Sequence, residues 1–200
     1  MADIVYTFRG AVYLNITNRC PCACVFCIRA AGDGLGSAKT LWHTADPTWE
    51  DIVRAMEAFD FSPYPEAVFC GYGEPLEALD NCLRTAKYLK EKYPGIRLRI
   101  NTNGLGDLIH GRPTAGDLTG WIDSVSVSLN APDAVRYLAL TQPSFGVGSY
   151  EAMLRFAADC KRLLPEVMFT VVDVLTEEEI ARCRVIADSM GIPLRVRACS

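Results

Sequence analysis

The feature that most constrains the fold is an alternation of short apolar segments with helical patterns along nearly the whole chain. Seven segments are predicted as strands: residues 4–8, 11–17, 67–70, 96–101, 124–129, 167–174 and 193–199. Strands that alternate with helices form βαβ units around a parallel sheet. We therefore predict an α/β fold, a partial, open (β/α)6 barrel of the TIM type preceded by a short N-terminal strand. A doubly wound sheet is the alternative.

Loops rich in glycine, cysteine or polar residues follow four of these strands, at Cys20, Gly71, Thr102 and Asn130. Barrels build their active sites at the carboxyl ends of the strands, so this placement favours the barrel over the doubly wound sheet. No helix follows the last predicted strand, and we expect the barrel to be open at that edge.

Capping residues mark several of the predicted helices. Thr48 is the expected N-cap of the first helix, and Ser149 that of a later one. Thr176 and Glu179 have the spacing of a capping box, in which each side chain bonds the backbone N–H of the other. Residues 28–47 show no periodicity and are predicted as a long loop.

Composition and charge exclude several classes of protein. The length of 200 residues suits one domain, and we assign residues 1–200 to it. The net charge of −4 provides no basic footprint for nucleic acid. No apolar run approaches the ~18 residues of a membrane helix. Nine cysteines, an odd number, without an N-terminal export signal argue against a disulfide framework, and we expect a cytoplasmic protein.

Four of the nine cysteines fall within residues 20–27. Three of them, Cys20, Cys24 and Cys27, have the spacing Cys-x3-Cys-x2-Cys. A [4Fe–4S] cluster normally takes four thiolates, so three would leave one iron open to another ligand. A zinc site would need a second Cys or His pair further along the chain, and a redox Cys-x-x-Cys is the other alternative. The fourth cysteine, Cys22, is expected to point away from its neighbours.

With Phe26 before the last cysteine, this spacing resembles the signature of the radical S-adenosylmethionine (radical SAM) superfamily. In that family three thiolates hold a [4Fe–4S] cluster and SAM chelates the fourth iron. Reduction splits SAM to a 5′-deoxyadenosyl radical, which abstracts hydrogen from the substrate. The resemblance implies that Cys20, Cys24 and Cys27 are the metal ligands. It also implies that Phe26 lies beside the adenine and that flavodoxin or ferredoxin acts as the reductant.

A second motif, Gly71-Tyr72-Gly73-Glu74, follows the strand at 67–70. Two glycines at a strand end allow the backbone to approach a ligand closely, although a plain turn would also explain them. The motif resembles the Gly-Gly-Glu motif that binds the SAM amino group in the family, with Tyr72 as a departure. The resemblance implies a SAM-binding loop at 70–75 that includes all four residues. Its glycines would make backbone contacts and Glu74 would contact the ammonium group.

Two further polar segments resemble family segments that close the third and fourth strands. Asn103 belongs to the first, and Ser128 and Asn130 belong to the second, which is placed to meet the ribose and carboxylate of SAM. Ser126, Ser128 and Asn130 form one polar stripe of a strand. Because the interior of a packed barrel is apolar, this stripe predicts either a ligand cavity or the solvent face of an edge strand.

Arginines alternate along two of the predicted strands, at Arg97 and Arg99 and at Arg195 and Arg197. Solvated strand faces explain such alternation. If these faces border an open barrel, the arginines would instead bind an anionic substrate.

The chain as a whole resembles the small TatD-associated radical SAM proteins of the activating-enzyme-like branch, through residues 13–20, 69–75 and 101–111. This implies one radical SAM core with a cluster loop at 18–30. The substrate, a small molecule or a macromolecule, is not identified. The alternative function is a non-catalytic iron–sulfur redox or sensor module, which would need only the cysteines.

Overall fold

The computed structural model describes residues 2–30 and 32–199 and contains one seven-stranded sheet. Its strands are β1 (Val5–Phe8), β2 (Ala11–Leu14), β3 (Glu66–Phe69), β4 (Arg97–Thr102), β5 (Ser124–Ser128), β6 (Glu166–Val172) and β7 (Leu194–Arg197). β1 pairs with β2 in an antiparallel hairpin, and every later pairing is parallel.

The spatial order of the strands is the same as their order in the sequence. A doubly wound sheet would reverse this order at a switch point, and no reversal occurs within the described residues. Sequential parallel strands joined by crossovers of one hand instead place the helices on a single face. The predicted α/β partial barrel is confirmed, with β1 and β7 as the edges of the sheet.

Six α-helices accompany the sheet in the described part of the chain. They are α1 (Trp49–Glu57), α2 (Leu79–Lys92), α3 (Gly106–His110), α4 (Ala134–Thr141), α5 (Ser149–Leu163) and α6 (Glu177–Ser189). The predicted N-cap at Thr48 and the predicted capping box at Thr176 are both present, and Thr48 also forms a capping box with Asp51. The prediction for Ser149 is wrong, because it is the first residue of α5 and makes no capping bond. No described helix is long and apolar enough to span a bilayer.

The two faces of the sheet differ in polarity. Val125, Val127 and Ile100 point to the outer face, where they are fully buried in the core under the helices. Burying one such side chain contributes about 1.5–3 kcal/mol, so this face holds the sheet to its helices. Residues one position away point to the inner, concave face, and those near the centre of the sheet are polar: Arg99, Asn101, Ser126, Ser128 and Thr170.

The long loop between β2 and α1 has little regular structure but is fixed by hydrogen bonds. Asn15 Nδ2 donates to the Leu41 carbonyl (2.9 Å), and the Thr17 hydroxyl donates to Asp46 Oδ1 (2.8 Å). The loop is therefore packed against the end of β2, which is where the cysteine loop begins.

Candidate functional site

A cavity of about 210 Å³ lies at the carboxyl ends of the parallel strands. Each parallel strand, or the loop that follows it, contributes a wall residue. Nine of the residues predicted to bind cofactors line this cavity: Cys20, Cys24, Phe26, Cys27, Gly73, Glu74, Asn103, Ser128 and Asn130. Gly71 and Tyr72 are absent from the wall. The fold thus brings together side chains from loops that are far apart in the sequence.

The cysteine loop is held in place by α4. The backbone N–H of Ala23 donates to the Thr141 carbonyl (3.0 Å), and that of Val25 donates to the Leu140 carbonyl (2.9 Å). These carbonyls belong to the last turn of α4, whose free acceptors would otherwise need water. The sequence patterns did not predict this helix.

Cys22 also lines the cavity, contrary to the expectation that it points away. Interaction with the Cys22 side chain lowers the pKa of Cys20 to about 6 and lowers that of Cys24. The pKa of Cys22 itself is raised for the same reason. The side-chain amide of Asn103 donates to the sulfur atoms of Cys20 (3.9 Å) and Cys22 (3.7 Å). The expectation failed because the loop is not an extended strand, so side chains do not alternate.

Arg29 ties the cysteine loop to the glycine loop. Its guanidinium donates to the backbone carbonyls of Asn18 and Tyr72, and it lies 5.5 Å from the ring centroid of Trp42. After the interaction with Cys22, its positive charge further favours the thiolates. The sequence signal for Arg29 was only a basic residue two positions after the last cysteine, and it was missed.

Glu74 is a buried carboxylate on the cavity wall. Its Oε1 accepts from the Thr102 hydroxyl (2.7 Å) and the Leu76 N–H (3.2 Å), and its Oε2 accepts from the Asn103 N–H (2.7 Å). All three partners are neutral. Burial, with a contribution from the negative charge of Cys20, raises the pKa of Glu74 to about 8. A cation placed in the cavity would favour the ionised form again.

The glycine loop packs tightly against the end of β2. A Cβ on Gly71 would lie 2.2 Å from the side-chain oxygen of Asn15, and a Cβ on Gly73 would lie 2.1 Å from the carbonyl oxygen of Thr17. Tyr72 is buried in a small cluster beside the hairpin. The glycines are thus required by packing within the chain, and only Gly73 reaches the cavity.

The polar stripe of β5 faces the concave side. Ser128 and Asn130 border the cavity with the thiols, and Asn130 adopts a left-handed backbone conformation (φ 56°). Phe26 enters the same wall from the cysteine loop. The wall therefore has an aromatic ring, a buried carboxylate, amides and hydroxyls next to the four thiols of the cysteine loop, and the thiols of Cys70 and Cys199 also line it.

The comparison with known families is decisive for the class of protein. The sequence model of the Radical SAM superfamily matches residues 14–184, which is most of the chain. The chain belongs to the radical SAM superfamily. The predicted superfamily is confirmed, and so is the prediction of an enzyme, because this is a superfamily of enzymes.

A solved structure also resembles this radical SAM protein. The crystal structure of a radical SAM methyltransferase from Sphaerobacter thermophilus has a TM-score of 0.57 and 19% sequence identity, and the alignment covers 97% of this chain and 68% of that chain. At this identity the likeness shows the fold. None of the curated proteins matches the sequence significantly.

The donor set at the cavity fits the cofactors typical of the superfamily. The four thiols of the cysteine loop all line it, and soft thiolate ligands suit iron–sulfur clusters. Among the described residues, no three His, Cys, Asp or Glu side chains are arranged around a single metal ion. A cluster separates its thiolates more widely than one ion does, because each thiolate binds a different iron. The buried Glu74, bonded only to neutral groups, suits a cationic ligand beside them.

Proposed function

We propose that Cys20, Cys24 and Cys27 hold a [4Fe–4S] cluster and that SAM binds beside it in the same cavity. The proposed unit is a single radical SAM core spanning residues 1–200, with its cluster loop at 18–30 and its SAM-binding loop at 70–75. Support comes from the family match and from the thiols that share one cavity.

The observation that carries the proposal is the buried carboxylate of Glu74, which has only neutral partners in the cavity that holds the thiols. An isolated buried carboxylate is unfavourable unless a cation or further donors compensate its charge. The ammonium group of SAM is such a cation. We assign Glu74 to that group and Gly73 to a backbone contact, with Gly71 and Tyr72 shaping the loop behind them.

The other cavity residues are assigned to the rest of SAM. Phe26 would pack beside the adenine, and Ser128 and Asn130 would bond the ribose and carboxylate. Asn103 would contact both SAM and the cluster. Its side-chain amide already donates to the sulfur atoms of Cys20 and Cys22. Hydrogen bonds to cluster sulfurs also influence the reduction potential.

When bound and reduced by a flavodoxin or ferredoxin, the cluster would cleave SAM to a 5′-deoxyadenosyl radical that abstracts hydrogen from a substrate. The protein residues would orient SAM and prevent competing reactions. Asn103 and Glu74 fix the β4 loop against the β3 loop, and Arg29 fixes the cysteine loop against the β3 loop. Assignment to the TatD-associated branch stays a prediction, and the substrate is unidentified.

Anaerobic reconstitution with iron and sulfide tests the proposal. We expect about four iron atoms per chain, the stoichiometry of one [4Fe–4S] cluster, and an electron paramagnetic resonance signal that changes when SAM is added. Dithionite and SAM should then yield 5′-deoxyadenosine. A stable cluster that neither responds to SAM nor yields this product would contradict the catalytic proposal and favour an electron carrier.

Cysteine variants identify the ligands. Cys20→Ser, Cys24→Ser and Cys27→Ser should each lose most of the iron, whereas Cys22→Ser should retain the cluster and its response to SAM. Cys199→Ser is a matched control, because this thiol lines the same cavity without a proposed ligand role. If Cys22→Ser lost the cluster, Cys22 would be a fourth ligand and the open iron would be absent.

A further inference from the structure

A second cavity, of about 280 Å³, lies on the concave face of the sheet next to the thiol cavity. Its wall comes from six of the seven strands and the hairpin turn. Small polar side chains on β5 and β6, Ser126 and Thr170, leave it open. Thr170, Arg197 and Ala198 belong to the walls of both cavities. The two therefore form one groove along the inside of the open barrel.

Arginines dominate the charge of this second cavity. Arg9, Arg99, Arg195 and Arg197 line it, and its wall contains no aspartate or glutamate. Only Arg99 has an acidic partner in the described part of the chain, Glu66, at 2.9 Å. The other three guanidinium groups have no ion pair among the described residues. This concentration of positive charge occurs in a chain whose net charge is −4.

The arginines of the cavity are held to different degrees: Arg99 is fixed by hydrogen bonds, and the Arg9 guanidinium lies 5.0 Å from the Phe8 ring centroid. Arg99 bonds Glu66 through Nε (3.2 Å) and Nη2 (2.9 Å), and bonds Asn101 through Nη1 (3.1 Å). Arg195 and Arg197 lie two residues apart on one face of β7, because their strand partners Thr170 and Val172 share that face. Neighbouring like charges repel unless an anion lies between them.

Protection of an edge strand offers a simpler explanation for charges on β7, since charged side chains prevent edge-to-edge association. That explanation does not account for Arg9 and Arg99, which come from the hairpin turn and from β4 and meet the β7 arginines in one cavity. Convergence from three elements is typical of a binding site.

We propose that this arginine cavity binds the anionic group, a carboxylate or a phosphate, of a small-molecule substrate. A guanidinium group can donate two parallel hydrogen bonds to the oxygen atoms of either a carboxylate or a phosphate. The remainder of such a molecule would extend along the groove toward the thiol cavity. The cavity volume is close to the lower end of the range for small-molecule sites, which suits a compact organic acid or phosphate ester rather than a macromolecule. That the bound molecule is a substrate rests on the proposed function.

Calorimetric titration of the reconstituted protein with inorganic phosphate and, separately, with glutarate tests the proposal. We expect saturable binding of at least one probe, weakened by added salt. Arg195→Gln should weaken it about tenfold or more, since charged hydrogen bonds are lost. Arg195→Lys should bind with intermediate affinity, because it keeps the charge without the two parallel donors. Arg184→Gln, at an exposed position of α6, should bind like the wild type.

The outcomes separate this proposal from the proposed function. Binding of phosphate alone identifies a phosphate ester, and binding of glutarate alone identifies a carboxylic acid. No saturable binding of either probe, or equal binding by wild type and Arg195→Gln, overturns the arginine cavity whatever the cluster does. Iron content and the response to SAM should be unchanged in Arg195→Gln, since Arg195 lines only the second cavity. Loss of iron in all proteins would overturn the cluster proposal alone.

Discussion

In the cluster-free protein, Glu74 should make the free energy of unfolding fall as the pH rises, and Glu74→Gln should abolish this fall. Burial raises the pKa of this carboxyl from 4.5 to about 8. The folded chain therefore keeps a proton that the unfolded chain releases, and the free energy of unfolding should fall as the pH rises from 4.5 to 8. Since one pKa unit corresponds to about 1.4 kcal/mol, the loss between pH 5 and pH 8 should be about 3 kcal/mol.

Urea denaturation followed by circular dichroism, at several pH values, measures this effect. Wild type and Glu74→Gln share all other ionisable groups, so the difference between their free energies of unfolding isolates Glu74. The amide also loses one acceptor oxygen, but that cost is the same at every pH. We expect the wild type to lose about 3 kcal/mol relative to the variant between pH 5 and pH 8.

Glu57→Gln is the matched control for this experiment. Glu57 lies at the exposed end of α1, outside the walls of the cavity. Its curve should run parallel to that of the wild type. If the Glu74→Gln curve were also parallel, the carboxyl would not be held protonated by burial, and the argument for a cationic ligand at this position would fail.

Three further predictions concern how the loops are held. Gly73→Ala should cost about 1–3 kcal/mol, because its Cβ would collide with the Thr17 carbonyl, whereas Gly95→Ala, in open space, should change stability by less than about 0.5 kcal/mol in urea denaturation. Asp133→Ala removes the N-cap of α4 and should lower the free energy of unfolding by about 1 kcal/mol. Because α4 holds the cysteine loop, the iron content of the reconstituted variant should fall as well. An unchanged iron content would contradict that role of α4. Arg29→Met leaves two backbone carbonyls without their donor. After reconstitution, less iron should stay with this variant through gel filtration, and Arg29→Lys should recover part of it.

Short-range patterns were sufficient for most of the architecture. The strands, the N-cap at Thr48 and the capping box at Thr176 depend on residues only a few positions apart, so the sequence predicts them. The helix α4 was missed because Val135 and Leu138 on it are exposed, which obscures its apolar stripe. The N-cap at Ser149 was predicted from residue type alone, but the preceding backbone turns at 146–148 and buries the serine.

The strands and the three spaced cysteines could be predicted from local spacing and periodicity, and the family could be predicted from the resemblance of two short motifs to known ones. Three features required the folded chain: Cys22 lies in the cavity wall, Arg29 joins two loops, and Glu74 is buried among neutral donors. The tertiary structure also decided that four arginines from three elements share one cavity. Such contacts join residues that lie far apart in the chain or at the turns of an irregular loop, and no local pattern encodes them.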